Sequence, residues 1–126
     1  MIDHVSLGVS SVARSKVFYD AAFAQMGYSC QSTGDTYLGY GTADSTQLWL
    51  YASSQPVPAD PNSGLHFCFQ APTRASVDAF HAAALAHGGQ DNGKPGLRAD
   101  YGANYYAAFV IDPDGYRMEA YCSKAA

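Results

Sequence analysis

The chain opens with alternating apolar and polar positions, which predict a β-strand over residues 2–9. One face of this strand is apolar and is made by Val5, Leu7 and Val9. His4 falls on the opposite, more polar face. Apolar residues then recur every three or four positions up to Gly27, so an amphipathic helix is predicted after a Ser-Ser pair that offers an N-cap. The apolar face of the strand is expected to pack against this helix.

Three short strand patterns follow the helix, near residues 28–32, 35–40 and 46–52. Glycines and polar turns separate them. Residues 1–53 are therefore predicted to form one β-α-β-β-β module. The segment 54–63 is rich in proline and polar residues and cannot readily continue a strand, so we interpret it as a linker.

The second half of the chain repeats the first half. A shift of 62 positions aligns His4 with His66, and it also aligns helix residues: Phe18 with Phe80, Ala21 with Ala83 and Ala22 with Ala84. Because the loop after the second helix is longer, the last strands align with a shift of 70 positions, which pairs Trp49 with Glu119. The repeat predicts a second β-α-β-β-β module over residues 64–123.

We expect a single domain over residues 1–126, because this length is sufficient to bury a core. The predicted fold class is α+β: two paired βαβββ modules form a curved, partly open mixed sheet around a cleft, and the helices pack outside it. Each module would turn its polar side towards the cleft. On the second predicted helix, at residues 74–87, we interpret His81 and His87 as surface residues.

The final strand carries the most informative carboxylate. Residues 112–115 read Asp-Pro-Asp-Gly, which are the residues that a type I turn prefers. In the strand that follows, Arg117, Glu119 and Tyr121 share one face of the pleat. We therefore expect Glu119 to face the cleft.

His4, His66 and Glu119 are candidate metal ligands, because the repeat places both histidines at the same position on the cleft side. Two imidazoles and one carboxylate suit a divalent metal ion such as Fe, Zn, Ni or Mn. Glu119 is also the candidate catalytic carboxylate. The alternative is that all three are ordinary solvated residues near the ends of the sheets.

Trp49 stands at a position equivalent to a ligand, but an indole does not coordinate metal, so it is either a flat wall for a ligand or a packing residue. The other candidate substrate-binding residues lie near the cleft strands or in the loop 93–102: Gln47, Tyr51, Arg98, Tyr101, Tyr105 and Tyr121. Glycine and proline in this loop predict a mobile lid. Arg98 would either grip a substrate carboxylate or remain a solvated charge.

Composition narrows the partners to small molecules. The net charge is −4, and the seven Lys and Arg residues are scattered, so no basic patch is present for nucleic acid or an anionic membrane. No apolar run approaches the roughly 20 residues needed to cross a membrane. The three cysteines, Cys30, Cys68 and Cys122, are irregularly spaced and no leader precedes Ile2, which favours reduced thiols and a cytoplasmic location.

Four segments together resemble the vicinal oxygen chelate superfamily, which includes glyoxalase I, bleomycin-resistance proteins and extradiol dioxygenases. These segments are Asp3-His4-Val5, Gly64-Leu65-His66-Phe67, the run 104–110 and the run 112–119. The resemblance implies paired βαβββ modules and covers nearly the whole chain. It also implies that His4, His66 and Glu119 occupy three of the family's four metal-ligand positions, with Trp49 at the fourth.

The fourth position is a second Glu in glyoxalase I, so the resemblance favours another reaction of the family. It implies a metal-dependent dioxygenase, lyase or isomerase that chelates two neighbouring oxygens of a small substrate. The alternative that it leaves open is a metal-free binding protein of the bleomycin-resistance type. Relatives of this size commonly form homodimers and sometimes exchange modules, in which case His4 would share a metal with His66 and Glu119 of a second copy.

Overall fold

The computed structural model describes residues 1–58 and 60–126. The elements of the first half are β1 (Val5–Val9), α1 (Val12–Ala24), β2 (Ser29–Thr33), β3 (Tyr37–Thr42) and β4 (Ser45–Ala52). Those of the second half are β5 (Phe67–Gln70), α2 (Arg74–Ala86), β6 (Gln90–Leu97), β7 (Tyr106–Ile111) and β8 (Arg117–Cys122). The predicted α+β class and the repeated β-α-β-β-β order are confirmed.

Each half builds its own four-stranded sheet, in the orders β1-β4-β3-β2 and β5-β8-β7-β6. The first strand of each half runs parallel to the last, and the remaining pairs are antiparallel. Ser6 lies opposite Trp49 in one sheet, and Cys68 lies opposite Glu119 in the other. Both alignments read from the sequence therefore hold in three dimensions.

The two helices cover the apolar face of the sheets. Ser11 caps α1 by accepting a hydrogen bond from the backbone of Arg14, and Thr73 caps α2 in a reciprocal capping box with Ser76. The largest apolar side chains in the core include Phe18, Leu38, Leu50, Phe80 and Met118. Burial of each such side chain contributes about 1.5–3 kcal/mol, so these faces hold the fold together.

Helix α1 and the turn before β8 join the two halves. The hydroxyl of Tyr19 donates to Asp112 Oδ2 at 2.6 Å, and the hydroxyl of Tyr116 donates to the carbonyl oxygen of Gly8 at 2.7 Å. Burial raises the pKa of Asp112, although its hydrogen bonds act in the opposite direction. Because the halves meet through their helix sides, the opposite face of each sheet remains accessible.

Two expectations about the second half are wrong. Residues 93–97, expected in a mobile lid, belong to the edge strand β6, where bulges beside Gly93 absorb the irregular sequence and an edge position tolerates Pro95. His81, expected at the surface, is only 8% exposed, and its Nε2 atom lies 2.9 Å from Asp91 Oδ1 on β6. The hydrogen bond between the two side chains lowers the pKa of Asp91.

Among the residues described between β4 and β5, no helix or strand is present. Across residues 1–58 and 60–126, no helix is both long enough and apolar enough to span a membrane.

Candidate functional site

Glu119 is the centre of a small polar cluster on the accessible face of the second sheet. Its side chain is 5% exposed. Oε1 lies 2.7 Å from His66 Nε2, and Oε2 accepts a hydrogen bond from the hydroxyl of Tyr105 at 2.6 Å. His66 immediately precedes β5, and β5 pairs with β8 in parallel, so strand register brings these residues together. The sequence prediction that Glu119 and His66 share a face is therefore correct.

Aromatic rings support the carboxylate. Tyr105 stacks on Tyr121 with ring centroids 4.1 Å apart, and Tyr101 meets Tyr105 edge-on at 5.2 Å. Burial and the hydrogen bond to Glu119 raise the pKa of Tyr105, so its hydroxyl remains a donor at neutral pH. Burial, together with the charge of Glu119, also raises the pKa of Cys68 to about 12, which keeps this thiol neutral.

A cleft of about 680 Å³ opens over this cluster, and we call it the carboxylate cleft. Its volume lies within the range of small-molecule sites. The residues that line it are His66, Asn92, Asp100, Tyr101, Tyr105, Phe109, Arg117 and Glu119. Sequence reasoning did not single out Asn92, Asp100 or Phe109, because their approach depends on the path of β6, β7 and the loop between them.

The accessible face of the first sheet carries an aromatic platform made by Tyr37, Trp49 and Tyr51. The ring centroids of Trp49 and Tyr51 are 6.3 Å apart and nearly parallel, and those of Tyr37 and Trp49 are 6.5 Å apart. A Cβ atom on Gly39 would lie 2.6 Å from the indole, so the ring rests against the bare backbone of β3. The two roles considered for Trp49, a flat wall for a ligand or a packing residue, stay predictions.

His4 and Gln47 line a different cleft, of about 260 Å³, at the junction of the two halves. The side chain of His4 is 51% exposed, and its Nδ1 atom lies 2.7 Å from Asp3 Oδ2. One chain therefore brings His66 and Glu119 together without His4. Among residues 1–58 and 60–126, no group of three or more His, Cys, Asp or Glu residues is arranged to hold a metal ion.

The two arginines near the carboxylate cleft differ in their contacts. Arg98 donates to the carbonyl oxygens of Gly96 and Lys94 and lies over the ring of Phe109, outside the lining of the cleft. Arg117 lines the cleft. The pleat of β8 already indicated that Arg117 shares a face with Glu119, and this was the signal from which Arg117 could have been found.

Comparison with known proteins settles the family. Residues 1–120 match the family model of the Glyoxalase/Bleomycin resistance protein/Dioxygenase superfamily. The chain belongs to this superfamily. A glyoxalase/bleomycin resistance protein from Albidiferax ferrireducens, of known structure, is 30% identical over 96% of this chain and 97% of its own, with a TM-score of 0.80.

Two more distant members of the superfamily support the fold alone. A glyoxalase-related enzyme from Fulvimarina pelagi is 19% identical over 97% of this chain and 87% of its own, with a TM-score of 0.75. A glyoxalase/bleomycin resistance protein/dioxygenase family enzyme from Burkholderia phytofirmans is 18% identical over 98% of both chains, with a TM-score of 0.72. No curated protein matches the chain.

The superfamily implies a divalent metal, and the chemistry of the cluster can be compared with that expectation. His66 and Glu119 offer an imidazole nitrogen and a carboxylate oxygen, which are donors that divalent transition metals accept. Protein metal sites commonly use three or more protein donors. The described part of one chain therefore brings together one pair of donors that would fit such an ion, and not a set of three.

Proposed function

We propose that this chain is a metal-dependent enzyme of the glyoxalase/bleomycin resistance/dioxygenase superfamily that acts on a small, oxygen-rich molecule in the carboxylate cleft. The observation that carries the proposal is the 2.7 Å contact between His66 Nε2 and the buried Glu119 carboxylate at the floor of that cleft. A buried carboxylate held by an imidazole and a phenol is a suitable centre for acid–base chemistry.

In this proposal the divalent ion is Fe, Zn, Ni or Mn, and the residues that would hold it are His66 and Glu119 of one chain and His4 of a second copy. The separate location of His4 within one chain supports a shared site. So do the edge positions of β1 and β5, which leave one side of each strand unpaired. The ion, when bound, would act as a Lewis acid on two neighbouring oxygens of the substrate.

The protein groups around the centre have distinct roles in the proposed reaction. Oε1 of Glu119 faces His66, so Oε2 is the atom that would take a proton from the substrate and return it. Tyr105 orients that oxygen through its hydroxyl and is itself held by stacking on Tyr121. Phe109 and the exposed Tyr101 line the cleft with aromatic rings.

Metal analysis tests the proposal directly. Wild-type protein equilibrated with each candidate metal and then desalted should retain about one ion per chain, and His66→Ala should retain far less. His87→Ala is the matched control, because His87 is exposed on the second helix and lies outside both clefts. Wild-type protein that retains none of the four metals would contradict the proposal.

A metal-free binding protein is the second candidate, and one observation favours it. Both oxygens of Glu119 already have protein partners within a single chain, so the carboxylate does not need an ion to be satisfied. The aromatic platform would then bind a flat ligand by stacking. Ligand binding that is unchanged by a chelator would favour this candidate over the enzyme. A cytoplasmic location stays a prediction in either case.

A further inference from the structure

We propose that Arg117 recognises an anionic group of the substrate, so that the carboxylate cleft selects small molecules that carry a carboxylate beside their two chelating oxygens. This inference rests on the proposed function, because it assigns the substrate class of the same cleft. It replaces Arg98 with Arg117 as the candidate anion-binding residue.

The position of Arg117 is fixed by the strand that carries Glu119. Arg117 precedes Glu119 by two residues, and Met118 between them is 1% exposed on the helix side of the sheet. Alternate residues of a strand are separated by about 6.6–6.8 Å along its axis. Arg117 therefore stands on the same face as Glu119, one small molecule's length away.

Arg117 differs from the other three arginines in having no partner among the residues that the structure describes. Arg14 contacts Asp114, Arg74 donates to the carbonyl oxygen of Lys124, and Arg98 donates to the carbonyl oxygens of Lys94 and Gly96 on β6. Within residues 1–58 and 60–126, the side chain of Arg117 makes no ion pair and no hydrogen bond, although it is half-buried.

An arginine in this state is suited to bind an anion. The guanidinium group has five N–H donors in a planar fork that matches the two oxygens of a carboxylate. Leaving these donors partly desolvated and unpaired costs free energy, and a bidentate carboxylate would recover it. The cleft already contains the carboxylate of Glu119, but this carboxylate contacts His66 and Tyr105 and forms no ion pair with Arg117. An incoming carboxylate is therefore the acceptor that fits Arg117.

Two acidic residues near Arg117 are competing partners. Asp60 lines a small groove with Arg117 on the linker side, but its Oδ1 atom accepts from the backbone of Asn62 at 2.8 Å. Asp100 lines the carboxylate cleft from an exposed loop, where solvent screens its charge. Neither carboxylate forms an ion pair with Arg117. If Arg117 had only a structural role, it would act through Asp60. An Asp60→Asn variant would then lose the preference for the acid as well.

Two matched probes test the inference. Catechol and 3,4-dihydroxybenzoate carry the same pair of neighbouring oxygens, and only the second has a carboxylate. Their affinities for Zn(II)-equilibrated protein are measured by calorimetry. We expect wild type to bind 3,4-dihydroxybenzoate roughly tenfold to a hundredfold more tightly than catechol, the effect of one charge-assisted contact.

Three variants locate the source of this preference. Arg117→Gln should remove the preference by lowering the affinity for 3,4-dihydroxybenzoate to about that for catechol, which has no group for the arginine to bind. Arg117→Lys, which keeps the charge but loses the planar fork, should retain part of it. Arg98→Gln is the matched control and should retain all of it, since its guanidinium group is already bonded to carbonyl oxygens.

The outcomes separate this inference from the proposed function. If catechol binds and wild type does not prefer the acid, the assignment of Arg117 is wrong and the proposed function stands. If the preference survives in both Arg117 variants, or disappears in Asp60→Asn, the assignment is also wrong. If neither probe binds wild type, the assignment of Arg117 is wrong, and the metal analysis decides the proposed function separately. Thermal unfolding of each variant within a few degrees of wild type excludes misfolding.

Discussion

The two sheets of this protein have the same topology and present different chemistry at matching positions. Trp49 lies opposite Ser6 in the first sheet, and Glu119 lies opposite Cys68 in the second. The neighbouring antiparallel strand contributes Gly39 opposite Trp49, whereas Phe109 is opposite Glu119. One scaffold therefore supports an aromatic platform in one half and a carboxylate centre in the other. Function follows from the side chains at a few positions and not from the fold.

The histidines show the same contrast. His4 and His66 both stand immediately before the first strand of their half. His66 contacts Glu119, whereas His4 contacts its own neighbour Asp3. In the first sheet the position equivalent to Glu119 is Trp49, which offers no acceptor to an imidazole. The repeat alone therefore does not build a second pair of histidine and carboxylate.

The largest difference is expected between alanine variants at the two equivalent positions, Glu119 and Trp49. Glu119→Ala should reduce metal affinity by more than the roughly 10- to 100-fold that loss of an outer-shell partner causes, because the proposed function makes Glu119 a ligand itself. It also leaves His66 and Tyr105 without their acceptor. Trp49→Ala should retain the metal. Calorimetric titration with Zn(II) measures both, and equal losses in the two variants would show that the sheets are not functionally different.

A methyl group at Gly39 should disturb only the first sheet. Its Cβ atom would lie 2.6 Å from the ring of Trp49 and 2.8 Å from Thr46, so Gly39→Ala should cost about 1–3 kcal/mol in the free energy of unfolding. Trp49 is the only tryptophan, and its emission spectrum should shift. Gly102→Ala, whose Cβ atom would meet nothing closer than 3.8 Å, is the control. Unchanged stability and emission in Gly39→Ala would contradict the described platform.

Removal of one hydroxyl should change the free energy of unfolding by different amounts in the two aromatic clusters. Tyr105→Phe deletes the donor to Glu119 Oε2 and should destabilise the protein by about 1–1.5 kcal/mol. Tyr51→Phe on the platform should change stability by less than about 0.5 kcal/mol, because Tyr51 is exposed. Urea unfolding measures both values. A larger cost for Tyr51→Phe would reverse the expected order.

The smallest effect concerns two equivalent positions on the helices, Tyr19 and His81, each of which contacts a carboxylate. The hydrogen bond to His81 lowers the pKa of Asp91 from its ordinary value of 3.8. This contact therefore stabilises the fold at pH values above 3.8, and the stabilisation is lost as the pH falls through the lowered pKa. Burial instead raises the pKa of Asp112, the partner of Tyr19, so protonation of Asp112 opposes that loss.

Acid unfolding of one variant tests this difference. Asp91→Asn should lose less stability than wild type between neutral pH and pH values below about 3.8, because the contact that acid removes is already absent. The exposed Asp44→Asn serves as the control. An acid dependence in Asp91→Asn identical to that of wild type would contradict the role of His81.

Patterns within one strand or one repeat could be predicted from the sequence. Alternation placed Glu119 on the accessible face, and the repeat aligned His4 with His66 correctly. Contacts between elements could not be predicted in this way. Whether His4 reaches Glu119 depends on how the two halves pack. The burial of His81 depends on its contact with Asp91 in β6, a strand that was not predicted because its sequence contains glycine and proline.

The same reasoning explains the arginines. Arg98 and Arg117 are equally basic in the sequence, and only the path of the chain shows that carbonyl oxygens of β6 already bind Arg98. The strand pleat was sufficient to place Arg117 beside Glu119. It was not sufficient to show that Arg117 has no partner among the described residues, because that requires every nearby acceptor to be located.

The central claim, a metal site shared between two copies, is tested most directly by complementation. His4→Ala and His66→Ala chains are purified, unfolded, mixed and refolded together, and bound metal is then measured. We predict that each variant alone binds almost no metal, whereas each mixed dimer binds about one ion at the site that combines the intact His4 with the intact His66. A mixture that binds no more metal than the separate variants would contradict the claim.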